Sequence, residues 1–106
     1  MALAAANRFL RAWQEGDHEA GLLLLTDNAK RQTSAAQLEK FFTPASGIVR
    51  GYLVARGRKL NLHRYTFPIT IFEARPGSER APVHVHDSSI VVFEDGNQEW
   101  AIDKIP

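Results

Sequence analysis

Two histidines stand two residues apart in the stretch APVHVHDSSI, residues 81–90. In a β-strand, His84 and His86 would point to the same face, about 6.6 Å apart at a rise of roughly 3.3 Å per residue. Two imidazoles at this spacing can share a metal ion, but a catalytic zinc ion needs a third protein ligand. Asp87 would point to the opposite face of the strand. Glu73 is the remaining candidate, because the preceding hairpin brings it near His84.

A site formed by His84, His86 and Glu73 would lie at the end of a hairpin, next to a loop and open to water. We therefore expect no bound metal and interpret both histidines as exposed or hydrogen-bonded strand residues. Acid–base chemistry is the alternative, since the pKa of histidine is easily tuned. The chain has no cysteine, which excludes disulfides, thiolate catalysis and cysteine-ligated zinc. No motif indicates a cofactor, and we expect none.

A second group of candidates lies in the strand that the sequence predicts over residues 60–74. His63, Tyr65 and Phe67 alternate onto one face of it. Tyr65 could supply a hydrogen-bond donor and His63 a base in a mostly apolar cavity, the composition that small-molecule pockets tend to have. Ordinary cross-strand packing is the alternative interpretation of Tyr65 and Phe67.

Three aspartates could add a carboxylate to such a pocket: Asp17, Asp27 and Asp103. Asp17 is equally well explained as a helix cap, because it follows a glycine and precedes a helical segment. Asp27 fits a loop that ends a helix.

The first 47 residues have helical periodicity. At about 100° per residue, Phe9 and Trp13 fall on one apolar stripe of a first helix. Gly16 and Asp17 predict its end and the start of a second helix, which we expect to end at residues 26–28. Ser34 to Gln37 has the spacing of a capping box and begins a third helix, with Leu38, Phe41 and Phe42 as its buried face.

From Ile48 onwards the pattern favours strands, over about 48–56, 60–74, 83–94 and 98–105. Asp95-Gly96 predicts a two-residue hairpin loop, so partner numbers sum to 191 and Val91 faces Trp100. For the preceding hairpin the sum is about 156, which places His63 opposite residue 93. Helices followed by an antiparallel sheet make the predicted fold class α+β, as one domain over residues 1–106.

Composition restricts the partners. The net charge of +1 gives no argument for a nucleic acid or a membrane, and we expect neither. Both faces of the last predicted hairpin carry apolar residues, while one layer of helices covers one face. We therefore expect a homodimer through a sheet face.

The N-terminal residues lack the features of a signal peptide, which favours the cytoplasm; a mature exported domain stays an alternative.

The stretches FLRAWQEGDHEAGLLLL and WAIDKIP resemble the nuclear transport factor 2-like superfamily, the SnoaL-like or cystatin-like cone. The resemblance is carried by Phe9, Ala12, Gly16, Asp17, Ala20, Leu23, Trp100 and Ile102. It implies three N-terminal helices on a curved antiparallel sheet of about four strands, forming a cone-shaped half-barrel. It also implies a pocket between helices and sheet, and pairing through the outer face of the sheet. Members include isomerases, dehydratases, cyclases and small proteins without known activity, so the resemblance does not decide the function.

Three functions remain open, and we favour the first. It is a non-catalytic ligand-binding or accessory domain, with an apolar ligand between Phe9 or Trp13 of the first helix and Tyr65 or Phe67 of the sheet. The second is a small isomerase-, dehydratase- or cyclase-like enzyme that uses His63 and Tyr65 for proton transfer. The third is a protein–protein interaction module whose cone is filled by its own side chains.

Overall fold

The computed structural model describes residues 1–77, 84–97 and 99–106, and within these ranges four helices precede five strands. The helices are α1 (Ala2–Glu15), α2 (His18–Leu23), α3 (Asp27–Gln32) and α4 (Ala35–Phe42). The strands are β1 (Val49–Val54), β2 (Arg58–Asn61), β3 (Arg64–Ala74), β4 (His84–Glu94) and β5 (Trp100–Lys104). The α+β class is confirmed. In the part of the chain so described, no helix is both long and apolar enough to cross a membrane.

Local capping sets the helix boundaries as the sequence predicts. Gly16 ends α1 in the left-handed region, at a φ of 69°, where a residue without a Cβ atom has the least strain. The carboxylate of Asp17 accepts a hydrogen bond from the N–H of Ala20 and caps α2. Ser34 and Gln37 form the predicted capping box of α4.

Helix α3 was not expected, because residues 26–28 were interpreted as the end of the preceding helix. Instead, the hydroxyl of Thr26 accepts a hydrogen bond from the N–H of Ala29 and caps a new helix. Threonine is a favoured N-cap residue, and Asp27 stands in the first turn, where a negative charge is favourable. The described part of the chain therefore has four helices where the sequence predicted three.

The five strands form one antiparallel sheet with the order β1-β3-β4-β5, and β2 also pairs with β3. Strand β1 pairs with the end of β3 that contains Glu73, and β2 with the end that contains Tyr65. A turn at Leu62 and His63 separates β2 from β3. The single strand predicted over 60–74 was therefore wrong at its start.

The register between β3 and β4 places Arg64 opposite Phe93 and Glu73 opposite His84. The predicted proximity of Glu73 to His84 is confirmed. The predicted pairing of His63 with Phe93 was wrong by one residue, because Arg64 lies opposite Phe93.

The observed register of the last hairpin differs more from the predicted register. Glu94, not Val91, lies opposite Trp100, so the predicted two-residue loop was wrong. The carboxylate of Asp95 accepts hydrogen bonds from the N–H groups of Asn97 and Glu99, at 2.8 and 3.1 Å. This side-chain closure stabilises a longer loop. Gln98, which the predicted sum of 191 would place opposite Phe93 in this hairpin, lies outside the described residues.

Strand alternation gives the sheet two distinct faces. The helix face carries Phe67 and Ile69 of β3 and Ile90 and Val92 of β4, all buried. The outer face carries the alternating residues. Helix α1 contacts β1, β4 and β5. The completely buried large side chains fill the space between helices and sheet: Phe9, Leu10, Trp13, Phe42, Ile90, Val92 and Ile102.

A short parallel pairing joins the two halves of the chain. The N–H of Thr26 donates to the carbonyl of Ile102 at 2.9 Å, and the N–H of Ile102 donates to the carbonyl of Leu24 at 2.7 Å. Residues 24–26 therefore pair with β5 along the edge that β4 leaves open.

Candidate functional site

A cavity of about 540 Å³ opens between the C-terminal parts of α1 and α4 and the helix face of the sheet. We call it the α1–α4 cavity. Its volume lies within the range of roughly 300–1,000 Å³ that is typical of small-molecule sites. It is lined by Trp13, Gln37, Lys40, Phe41, Arg50, Ile71, Glu73, His86 and Pro106.

The apolar part of the cavity comes from Trp13, Phe41 and Ile71. The rings of Trp13 and Phe41 lie 6.1 Å apart and are tilted by 31°. Trp13 is only 1% exposed, so its ring is held in place by the core, whereas Phe41 and Ile71 are partly exposed. The partly exposed ring of Phe41, supported by Trp13 and facing an aliphatic side chain, suits an apolar ligand.

Arg50 of β1 connects this cavity to both helices. One terminal nitrogen of its buried guanidinium donates to the carbonyls of Trp13, at 2.8 Å, and Phe42, at 3.1 Å. The other donates to the carbonyl of Phe41 at 3.1 Å. Carbonyls at the end of a helix lack partners within the helix and carry partial negative charge. Arg50 therefore satisfies the C-terminal ends of α1 and α4 together and is mainly structural.

Glu73 and His86 form the polar rim on the side of the sheet. The Nε atom of Arg50 lies 3.5 Å from the Oε2 atom of Glu73, whose side chain stays 38% exposed. His86 lies opposite Ile71, and His84 lies opposite Glu73. Glu73 and His86 are thus diagonal neighbours on one face of the sheet, an arrangement within reach of long side chains. Both groups can form hydrogen bonds to a ligand, and the imidazole can also transfer a proton.

The three metal-ligand candidates are divided by this arrangement. His86 and Glu73 line the α1–α4 cavity, whereas His84 does not. The carboxylate of Glu73 faces Arg50. Within residues 1–77, 84–97 and 99–106, no group of three histidine, aspartate or glutamate side chains is placed to hold a metal ion.

The four candidates for ligand contacts are also separated. Phe9 is completely buried, with its ring stacked on Phe41 at 6.0 Å. Trp13 lines the α1–α4 cavity, whereas Tyr65 and Phe67 line a different depression of about 370 Å³ beside Trp100. This second depression is formed by Met1, Ala2, Leu3, Gly57, Tyr65, Phe67 and Trp100.

His63 and Tyr65 do not meet in one cavity. His63 lies exposed in the turn before β3, with its ring 6.2 Å from that of Phe93 on the outer face. Tyr65 points to the helix face, and its ring lies 5.6 Å from that of Trp100. The expectation that both share a face was wrong, because β3 begins after His63.

Asp103 is the common acceptor in a separate network of polar side chains. Its carboxylate accepts hydrogen bonds from Thr26 at 2.8 Å, Arg64 at 3.1 Å and Asn28 at 3.3 Å. Burial raises the pKa of Asp103, but the hydrogen bonds from Thr26, Arg64 and Asn28 and the charge of Arg64 outweigh it, so the pKa lies below its usual value. The network ties β5 to α3 and β3, and Asp103 does not line the α1–α4 cavity.

Two other aspartates named from the sequence have local roles. Asp17 caps α2 and Asp27 stands in the first turn of α3, so neither contributes to the α1–α4 cavity.

Sequence reasoning missed Arg50 and Lys40. A signal for Arg50 was present, because it alternates with Tyr52 and Val54 and so occupies a position of β1 that faces the helices. An arginine at such a position needs buried acceptors. Lys40 carried no comparable signal, since its place at the rim depends on how α4 packs against the sheet.

Comparison with known proteins identifies the fold. No protein-family model and no curated protein matches the chain. Among solved structures, a ketosteroid isomerase-like protein from Erwinia carotovora atroseptica is similar, with a TM-score of 0.70 and 12% sequence identity. The similarity covers 97% of this chain and 88% of that protein. The chain therefore has the nuclear transport factor 2-like fold, as the sequence resemblance implied. At this identity the similarity establishes the fold and leaves the activity open.

Proposed function

We propose that this protein is a non-catalytic domain that binds a small, largely apolar ligand in the α1–α4 cavity. The observation that carries the proposal is the cavity itself, about 540 Å³ in volume, with Trp13 and Phe41 on one side and Ile71 on the other. Such sites combine an apolar surface with a few polar groups that orient the ligand. Here Lys40, Glu73 and His86 are placed at the rim to do so.

The packing of the interior supports this location over the deeper one expected from the sequence. Phe9 and Phe42 are completely buried and pack edge to face, with ring centres 5.6 Å apart. Ile90 and Val92 close the space on the side of the sheet. A ligand that contacted Phe9 would have to displace these side chains, whereas Phe41 and Ile71 are partly exposed and line the open cavity.

The filled-cone alternative draws on the same packing. The filled-cone alternative requires that the α1–α4 cavity be only a surface depression that binds no ligand. The aromatic lining and the polar rim favour ligand binding, because they converge on one concave site.

Proton transfer is the second candidate function. It finds support at His86 and Glu73, which line one cavity, rather than at His63 and Tyr65, which lie on opposite faces. His86 is exposed and Glu73 faces Arg50. We favour a binding role, because general acid–base groups are normally held in a desolvated pocket within hydrogen-bond reach of each other.

We also propose that the protein forms a homodimer through the outer face of its sheet. Val49, Leu53 and Val85 lie on that face and are each more than half exposed. An apolar patch of this kind is typical of a protein–protein contact.

A ligand screen by NMR, followed by a cavity-filling variant, tests the binding proposal. Compounds that bind should shift the signals of the Trp13 indole and the Phe41 ring. Ile71→Trp should abolish these shifts by filling the cavity. Leu62→Trp is the matched control, since Leu62 is an exposed aliphatic residue in the turn before β3 and does not line the cavity. Shifts that survive in Ile71→Trp would place the ligand elsewhere and contradict the proposal.

A further inference from the structure

Resting on the proposed function, we infer that the ligand of the α1–α4 cavity is an apolar carboxylate, with its anionic group held at the rim by Lys40 and His86. The ring or chain of the ligand packs against Phe41 and Ile71 in this arrangement.

The side chains that line the cavity carry more positive than negative charge. Lys40 and Arg50 contribute two positive charges and Glu73 one negative charge. Within the described ranges, Arg50 pairs with Glu73 and Lys40 takes part in no ion pair. The rim is therefore left with a positive charge that a ligand can neutralise.

Arg50 is poorly placed to bind the ligand itself. Of its five N–H groups, four are used by the carbonyls of Trp13, Phe41 and Phe42 and by Glu73. Its buried position leaves it as a fixed charge behind the cavity wall. Lys40 and His86 are both exposed and line the same cavity, so they can reach an anionic group directly.

Apart from Gln37, the rest of the cavity lining is apolar and favours an apolar group. Its helix side presents the partly exposed ring of Phe41, with the buried ring of Trp13 behind it, and its sheet side presents Ile71. Burying an apolar body there is favourable, at roughly 25 cal/mol per Å² removed from water. A molecule with a ring at one end and a carboxylate at the other matches both parts of the site.

A pair of probes with one ring system isolates the charge. We would compare 2-naphthoate with 2-naphthylmethanol by isothermal titration calorimetry at low ionic strength. The expected result is that naphthoate binds about fivefold more tightly, the size expected for one solvent-exposed ion pair. The preference should shrink when salt is raised, because exposed charges are screened.

Charge variants assign the preference to residues. Lys40→Met should weaken naphthoate about fivefold and leave naphthylmethanol unchanged. Glu73→Gln should have the opposite effect and raise the affinity for naphthoate, because it removes from the rim a negative charge that repels the carboxylate. Lys30→Met is the matched control, since Lys30 is an exposed helical lysine that does not line this cavity, and it should change neither affinity.

The outcomes separate the inference from the proposed function. If both probes bind equally and Ile71→Trp abolishes both, the carboxylate inference is wrong and the binding proposal stands. The inference is also overturned if Lys40→Met weakens both probes alike or if Glu73→Gln weakens naphthoate. If neither probe binds and no compound shifts the Trp13 and Phe41 signals, both proposals are contradicted.

Discussion

The guanidinium carbon of Arg50 lies 4.6 Å from the centre of the Trp13 ring, while the same guanidinium donates a hydrogen bond to the Trp13 carbonyl. One side chain therefore holds both the ring and the backbone of a cavity residue. The contact joins β1 to the end of α1 across 37 residues of sequence.

Replacing Arg50 should destabilise the whole fold. Arg50→Met leaves the carbonyls of Phe41 and Phe42 without this donor, and we expect a loss of about 3 kcal/mol in the free energy of unfolding. Urea denaturation measures the change. Arg58→Met, at an exposed position of β2, should stay within about 0.5 kcal/mol of the parent protein. Equal effects of the two substitutions would show that the carbonyl contacts of Arg50 contribute little.

The Asp103 network should make stability fall in acid. Because the pKa of Asp103 is lower in the folded than in the unfolded chain, its contribution is complete above the unfolded value of about 3.9 and is lost as pH falls through the folded value. Asp103→Asn should cost about 2 kcal/mol at neutral pH, and this difference should narrow below about pH 3.9.

Thermal and urea unfolding between neutral pH and strong acid, for both proteins, measures that difference. Glu39→Gln, which removes an exposed carboxylate on α4, serves as the control and should change the free energy of unfolding at neutral pH by less than about 0.5 kcal/mol. A difference for Asp103→Asn that stays constant with pH would contradict the role of the ionised carboxylate.

Gly21 should behave unlike most helical glycines. Glycine to alanine in a helix usually stabilises by about 1 kcal/mol, but a Cβ atom at Gly21 would overlap the ring of Phe42. We therefore expect Gly21→Ala to destabilise by about 1–3 kcal/mol. Gly96→Ala, with nothing within 4 Å of the added Cβ, should change the free energy of unfolding little. Stabilisation by Gly21→Ala would show that Phe42 moves aside easily.

The proposed dimer predicts a sedimentation coefficient for about twice the mass of the chain at micromolar concentration. Leu53→Glu places a charge on the outer face of the sheet, where Leu53 is 64% exposed, and should give a monomer. Leu23→Glu changes an even more exposed leucine, 85% accessible on α2, and should leave the dimer intact. A parent protein that sediments as a monomer would remove the proposal.

Boundaries fixed by local chemistry could be predicted from the sequence. Gly16, Asp17 and the Ser34–Gln37 box act through hydrogen bonds that span three to five residues. Because such motifs need no distant partner, their position in the sequence is enough. Thr26 is the exception, since its cap could equally be interpreted as the end of the preceding helix.

Features that depend on distant contacts were harder to predict. The last hairpin was missed although its cause is local: Asp95 closes a longer loop through hydrogen bonds that span two and four residues, and the common interpretation of Asp-Gly as a two-residue turn does not include that side chain. The candidate cavity depends on packing between α1, α4 and the sheet. Its residues Lys40 and Glu73 are too far apart in sequence for any local pattern to join them.

The pairing of residues 24–26 with β5 has a consequence for the order in which the molecule assembles. Helix α3 has only six residues, too few to be stable in isolation, and its cap Thr26 is bonded to Ile102 and Asp103. Thr26 and Asp103 are 77 residues apart, so closing this contact carries a large loop entropy and raises the contact order. Helix α3 therefore gains its stability only when β5 docks, and the two should open together. Hydrogen exchange at the slowest-exchanging amides of α3 should therefore measure how often β5 detaches, although β5 lies at the other end of the sequence.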